Sequence, residues 1–407
     1  MLEKASIGYR AQSSCPQEML IARTPGEVEA LRPAWEGLLA AQADQVINAD
    51  PRRYLSVIAA DGSEPFVACS GKAGAGHLLL GYKNIRPLPV RIGYKTLFQP
   101  RVSCLNVEYQ GLLGPAETAP SFLAELLARV AEEVEVVFFN HLRVDSPVFR
   151  QLRGLGAWRR DSFFKSETHW RMAIPAGMDD FYQPLSSKHR NNLRRLVKKL
   201  EGDFPQLEVR LYTQTEDVDR AVAEAGGINE KTYQGALGVG VGANDRTRSL
   251  LQVAAREGWF RGYLLYLEGA PAAYQFALKY GRVYFGESVG FDPKWRDYRV
   301  GTYLFLRVLE ELCRSGAIDF YDFGFGDAEY KRNYSSEHWQ EASLCVFSPR
   351  LYPLAVNICR NSVQGASRAA EWLLRRTGLE AWVKRRWRDR LQEKQQSETG
   401  ILPAESV

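Results

Sequence analysis

No apolar run in these 407 residues approaches the ~18 residues that a membrane span requires. The start, MLEKASIGYRAQSS, lacks the basic-then-apolar layout of a secretory signal. A cytoplasmic chain is expected, with peripheral contact on an inner membrane the one membrane association left open. Cysteine is sparse. Cys15, Cys69, Cys104, Cys313, Cys345 and Cys359 show no CxxC spacing and mostly apolar neighbours, which argues for inert thiols in a reducing compartment and against a metal centre. The net charge of +5 is too small to argue for nucleic acid by itself, so only local clusters can do so, and no DNA partner is expected. The glycine-rich GALGVGVG (235–242) lacks the GxxxxGK spacing of a phosphate loop and follows a helix, so it is expected as a mobile loop beside a substrate.

What is present reads as an ordinary globular protein of two to three domains, with 45% apolar and 25% charged residues. Helical spacing of Val28, Leu31, Trp35, Leu38 and Leu39 predicts a helix over 27–43 anchored by Trp35, with Pro33 an irregularity in it. Residues 54–60, 65–70 and 77–82 read as a β-meander, and 85–109 as long loops plus an edge strand, or else as a basic cleft wall of Arg86, Arg91, Lys95 and Arg101. A helix over 121–133, with Ser121 as its cap, feeds a buried strand over 134–140 and a polar turn from His141 to Ser146. A helix over 301–315 feeds a strand over 318–323 in the same manner, so two copies of one α/β unit are expected, divided near 175.

Three stretches carry candidate chemistry. His141 and Asp145 form an HxxxD pattern of the kind that can supply a catalytic base. SSKHRNNLRRLVKKL is a helix capped by Ser186 or Ser187, with Lys188, Arg190, Arg194, Arg195, Lys198 and Lys199 on an outer face suited to an anionic ligand. After three strands over 260–267, 272–280 and 282–289, the order strand, turn, helix, strand from Val283 to Ser335 presents backbone amides to a phosphate-bearing donor at a helix N-terminus. Beyond a strand over 342–347, the basic, Trp-containing tail 364–394 can lie in a membrane interface or pack on the domain.

The segments ESVGFDPKWRDYRVGTYLF and AIDFYDFGFGDAEYKRNYSS resemble the GNAT acyltransferase superfamily, in particular its BioF2-like or CelD-like branch, which is related to the Fem peptidyltransferases. The resemblance implies an α/β fold of tandem GNAT-like halves, each a mixed, mainly antiparallel sheet with flanking helices. Residues 1–175 would be a degenerate half, 176–350 the acyltransferase half and 351–407 a basic helical tail. It implies no permanent cofactor, acyl-CoA or an acyl carrier protein as co-substrate, and an amine as acceptor; the basic, Trp-containing tail would suit an amphiphilic envelope precursor, for instance a long-chain amine.

Arg296, Arg299, Val300, Gly301 and Thr302 would hold the donor's pyrophosphate, with Arg299 standing where the family pattern has a glycine. Glu287 would be the base, sharing a strand face with Val289. Tyr330 or Tyr334 would be the acid, Asp327 would orient the amine, Lys331 would stabilise the oxyanion, and Asp322 would lie with Lys188, Arg190 and Arg194 on the substrate side. Two alternatives accompany this expectation: a Fem-like transferase using aminoacyl-tRNA, and a non-catalytic GNAT-fold binding protein in envelope polysaccharide assembly.

Overall fold

Residues 19–72, 75–92, 95–231 and 245–376 are described by the computed structural model. The loop 235–242 and the tail beyond 376 lie outside the described residues. Strand β1 (Leu20–Ala22) leads into α1 (Pro25–Ala30), whose Thr24 and Glu27 cap it reciprocally, and α2 (Arg32–Ala40). The single helix expected over 27–43 is thus two that meet at Leu31, with Pro33 in the first turn of α2 where its missing N–H leaves nothing unpaired. Trp35 is fully buried, and its Nε1 donates to the Ala49 carbonyl at 2.7 Å.

Residues 54–60 are not a strand but part of α3 (Pro51–Asp61). Asp50 caps its start, Pro51 presets the first turn, and Gly62 ends it in the left-handed conformation. Tyr54, Val57 and Ile58 then fall on one buried face.

Strands β2 (Glu64–Lys72) and β3 (Ala75–Pro87) follow, then a small hairpin of β4 (Val90–Ile92) and β5 (Lys95–Phe98), then β6 (Arg101–Leu113). The expectation of loops and an edge strand over 85–109 is overturned: β6 lies between β3 and β7, burying Cys104, Leu105 and Val107. Arg86 lines no cleft; its guanidinium lies 3.7 Å from the Phe138 ring centroid and donates to Asn106. Thr118, not Ser121, precedes α4 (Ala119–Arg129), and β7 (Val136–Arg143) runs through the expected turn at His141. After α5 (Pro147–Gly154), β8 (Ser166–Ala173) completes this part of the chain.

The second part contains α6 (Met178–Tyr182), α7 (Ser187–Asp203), β9 (Glu208–Tyr212), α8 (Val218–Asn229) and α9 (Asp245–Arg256). Ser186 Oγ caps α7 by accepting from the His189 amide at 3.2 Å, as its sequence suggests. Strands β10 (Phe260–Leu267), β11 (Ala270–Tyr280) and β12 (Val283–Phe291) form the three expected neighbours. They are followed by α10 (Val300–Ser315), β13 (Phe320–Phe325), α11 (Glu329–Tyr334), β14 (Glu337–Phe347) and α12 (Leu351–Arg376). No helix among the described residues is long and apolar enough to cross a membrane.

Twelve strands form one sheet in the order β1-β2-β3-β6-β7-β14-β8-β13-β12-β11-β10-β9. The repeat is visible in its directions. The antiparallel set β2-β3-β6 is joined through α4 to a parallel neighbour, β7; the antiparallel set β10-β11-β12 is joined through α10 to a parallel neighbour, β13. A helical crossover is what parallel pairing requires. The closing strands are exchanged: β14, late in the chain, pairs with β7, and β8, from the earlier part, pairs with β13. β8 and β14 also pair with each other, forming the seam between the repeats. The helix α12 packs Val356 against Leu88, Val102 and Phe347, while Leu351, Ile358, Trp372 and Leu373 face outward.

Candidate active site

Strands β12 and β13 pair in parallel only from Val283 to Phe285 and from Phe320 to Asp322. Beyond this they part, because Glu287 forms a β-bulge opposite Phe276 and Ala277, and β13 is turned aside at Gly324 and Gly326, both in the left-handed region (φ 67° and 92°). The wedge holds a cavity of about 460 Å³. Val289, Gly290 and Phe291 of β12 form one wall, Tyr321, Tyr330 and Tyr334 the other, and Arg296, Gly301, Thr302 and Phe305 close it at the start of α10. A Cβ at Gly290 would collide with the Tyr274 ring, so only glycine fits there.

The approach to α10 explains the departure from the family pattern at Arg299. Asp292 caps a short turn over Pro293–Tyr298, and Arg299 then takes φ 49°, ψ 43° as the residue before the helix. The chain therefore keeps the backbone shape that a glycine would give, at a cost of roughly 1–2 kcal/mol for a residue with a Cβ. No side chain caps α10, so the positive end of its dipole faces the cavity beside Arg296. Val300 is fully buried and can offer only its backbone amide. Arg299→Gly is expected to raise stability by about 1 kcal/mol in urea denaturation while weakening affinity for a phosphate-bearing donor. A loss of stability would show that the arginine side chain makes up for its backbone.

The other candidate residues separate into distinct places. Tyr330 and Tyr334 both line the cavity, and burial raises both hydroxyls above the usual tyrosine value; the Arg299 charge opposes the rise at Tyr334. Tyr334 is engaged with His189 Nε2 at 3.2 Å, whereas the Tyr330 hydroxyl has no hydrogen-bond partner among the described residues. Lys331 does not reach the cavity. Its Nζ donates to the Phe323 and Phe325 carbonyls at 2.7 and 2.9 Å, and burial lowers its pKa. Asp327 is exposed and paired with Arg332.

Glu287 lies in the bulge, which breaks the simple alternation expected to put it on one face with Val289. Its carboxylate is 3.4 Å from Arg53 of α3 and outside the cavity lining. Asp322 is turned into the seam, where it meets His169. His141, at φ 46°, pairs with Glu167 Oε2 at 3.3 Å and stacks on Phe325, while Asp145 pairs with Arg143, so the two letters of HxxxD do not act together.

The basic face of α7 lines a second, open groove of about 940 Å³ with Tyr182, Arg307 and Glu310. Arg194 is in this groove, over the Tyr182 ring, together with Arg195, Lys198 and Lys199; Lys188 and Arg190 are not among its lining residues. Tyr274 and Gln275 of β11 also line the cavity between β12 and β13, and nothing local in their sequence marks them. Among the described residues no cluster of His, Cys, Asp or Glu could hold a metal ion, and burial pushes the Cys104 thiol up to about 12.

Residues 187–332 match the family described as the acetyltransferase (GNAT) domain. No curated protein matches the chain. Similar solved structures include FemX, with 12% identity over 83% of this chain and 99% of that one and a TM-score of 0.56. L-PGS from Bacillus licheniformis shares 13% over 77% and 96% with a TM-score of 0.46. A tandem GNAT protein from the clavulanic acid biosynthesis pathway shares 13% over 82% and 100% with a TM-score of 0.44. At such identities the likeness to FemX concerns the fold alone. The segment 187–332, which contains all of the cavity lining except Tyr334, matches an acetyltransferase domain of the GNAT type, and this match supports an acyltransferase.

Proposed function

We propose that the chain transfers an acyl group from acyl-CoA, or from an acyl carrier protein, to an amine. The observation that carries this reading is the cavity between the parting parallel strands, closed by the uncapped start of α10 with Arg296 beside it. A pyrophosphate would sit on the amides of Val300 and Gly301, with Arg296 and Arg299 adding charge and Thr302 offering its hydroxyl, since its amide already donates to the Arg299 carbonyl at 2.9 Å. The donor's pantetheine amides would then meet the edge of β12 that β13 leaves free beyond Phe285. Residues 176–350 would be the catalytic half, 1–175 a degenerate half that supports it, and 351–407 the tail.

In the reaction Glu287 takes a proton from the acceptor ammonium, the amine attacks the thioester carbon, and the tetrahedral intermediate expels the thiolate. Tyr330 fits the acid better than Tyr334, because its hydroxyl has no hydrogen-bond partner among the described residues and its raised pKa keeps it protonated. Lys331 serves the turn beneath Tyr330 rather than the oxyanion, since two carbonyls already occupy its ammonium. The outward apolar residues of α12, with Arg368 and Arg376 near them, favour an amphiphilic acceptor such as a long-chain amine, and peripheral membrane contact.

A second reading has one observation behind it: none of the six cations of α7 forms an ion pair among the described residues, which suits a phosphate-rich donor such as aminoacyl-tRNA. Thermal shift decides between the donors. CoA or long-chain acyl-CoA at about 100 times Kd should stabilise the chain by about 2.7 kcal/mol. If neither shifts the melting temperature while charged tRNA binds with a steep salt dependence, the CoA reading fails. Equal flotation with anionic liposomes of the full chain and a chain cut at Gln364 would remove the tail from any membrane role.

A further inference from the structure

A buried imidazole sits where the two repeats exchange strands. His169 on β8 is 2% exposed. Its Nε2 is 2.8 Å from Asp322 Oδ1 on β13. Its Nδ1 is 3.1 Å from the Tyr109 hydroxyl on β6 and 3.5 Å from Glu341 Oε2 on β14. The Tyr109 hydroxyl donates to Glu341 Oε1 at 3.2 Å, as does Trp339 Nε1 at 2.7 Å, and the Trp339 ring stacks on the imidazole with centroids 4.4 Å apart. Arg143 of β7 and Arg171 of β8 lie over the Trp339 ring, the His141–Glu167 pair lies beyond Tyr109, and Lys331 of α11 faces Asp322.

Two buried carboxylates flank one ring, and only a ring protonated on both nitrogens offers a donor to each side. Burial alone would depress the His169 pKa, but the hydrogen bond to Asp322 and the nearby Glu341 carboxylate, at 3.5 Å, outweigh it and raise the value to about 9. Asp322 Oδ1 passes this order on. It also accepts from the Gly324 amide at 2.7 Å, at the head of the turn that Lys331 clamps through the Phe323 and Phe325 carbonyls. The Gly326 amide donates to Thr168, the neighbour of His169 in sequence, at 3.1 Å. This turn delivers α11, and with it Tyr330, to the cavity wall.

We propose that His169 is a positioning residue for acyl transfer: as a doubly protonated ring it fixes Asp322, and through the Gly324 amide it fixes the turn that sets Tyr330 against the donor cavity. The role rests on the acyl-transfer reading above, and it gives the earlier part of the chain a share in the chemistry without a contact to substrate.

His169→Gln in the full chain keeps one donor toward Asp322 and removes the charge. Hydrogen exchange of the peptide covering 322–334 should accelerate about tenfold at pH 7, with other strands unchanged. Thioester turnover should fall about tenfold in kcat with little change in KM for the donor, and the alkaline limb expected near pH 9 in wild type should be absent from the variant. Unchanged exchange in that peptide, or unchanged kcat in a folded variant, overturns the proposal.

If His169→Gln does not fold, wild type decides. The fluorescence difference from Trp339→Phe reports the charge on the stacked imidazole, and its midpoint should coincide with the alkaline limb of kcat. A separate midpoint overturns the role. If wild type turns over no thioester at any pH, it is the acyl-donor reading that fails, and the exchange of 322–334 still decides whether His169 holds the turn.

Discussion

Glu287→Gln is expected to lower kcat by about 10²–10⁴-fold, the usual contribution of a positioned general base. The substitution keeps the size of the side chain and a polar partner for Arg53, so the β12 bulge and the fold should survive it. KM for the acyl donor should change little, because the carboxylate lies outside the cavity that would hold it. Steady-state kinetics with the donor saturating, checked against circular dichroism of the variant, measure the effect. Its size bears on the bulge as well. A bulge re-aims a side chain that regular alternation would point elsewhere, and here the residue re-aimed is an acid facing α3 of the earlier part of the chain. Full activity in Glu287→Gln would move the base to another residue; Glu108, half-buried with its pKa raised by desolvation against the opposing charge of Arg53, would be the next to substitute.

His169→Leu is expected to cost about 3–5 kcal/mol of stability, since it leaves Asp322 and Glu341 buried without their shared cation. Wild type should also show the linkage in its pH dependence. The folded pKa of His169, about 9, lies above the ordinary histidine value of 6.5. The stabilisation is therefore complete below pH 6.5 and is lost as pH rises through 9. The raised value corresponds to a contribution on the order of 3 kcal/mol. Lys331 acts in the opposite direction at higher pH, because burial lowers its pKa and neutralising it relieves the folded state. Urea denaturation at pH 6, 7.5 and 9 should show stability falling across that range in wild type and flat in His169→Leu. A flat wild-type profile would mean that the ring is neutral.

The second repeat was largely legible in the sequence. The strands β10 to β12, the Ser186 cap of α7 and the turn into α10 all follow from local signals: alternation, a serine before an apolar stripe, and a basic turn with a glycine beyond it at the start of a helix. The cavity wall followed with it, since Arg296, Gly301, Thr302, Tyr330 and Tyr334 all line the same cavity. Elsewhere local pattern misled. YLSVIAA fits a strand as well as a helix; Asp50, Pro51 and Gly62 decide it as start and stop signals, and the Asp61-Gly62 pair resembles a hairpin turn. The central place of β6 and the helix α9 depend on partners far away in the chain. So does His169, whose carboxylates come from Asp322 and Glu341. No window of sequence contains such a cluster.

The exchanged strands carry a consequence for synthesis. A ribosome releases β7 long before β14, so the first repeat emerges with one edge of its sheet lacking a neighbour, and β8 likewise waits for β13. Unpaired edges on a nascent chain invite association with other chains. The second repeat can pair β13 with β8 once residue 325 has emerged, but the first cannot close until β14, ending at residue 347, has left the exit tunnel. Fragments ending near 175 should therefore be recovered as aggregates or bound to chaperones, and co-expression of the two pieces should restore solubility to each.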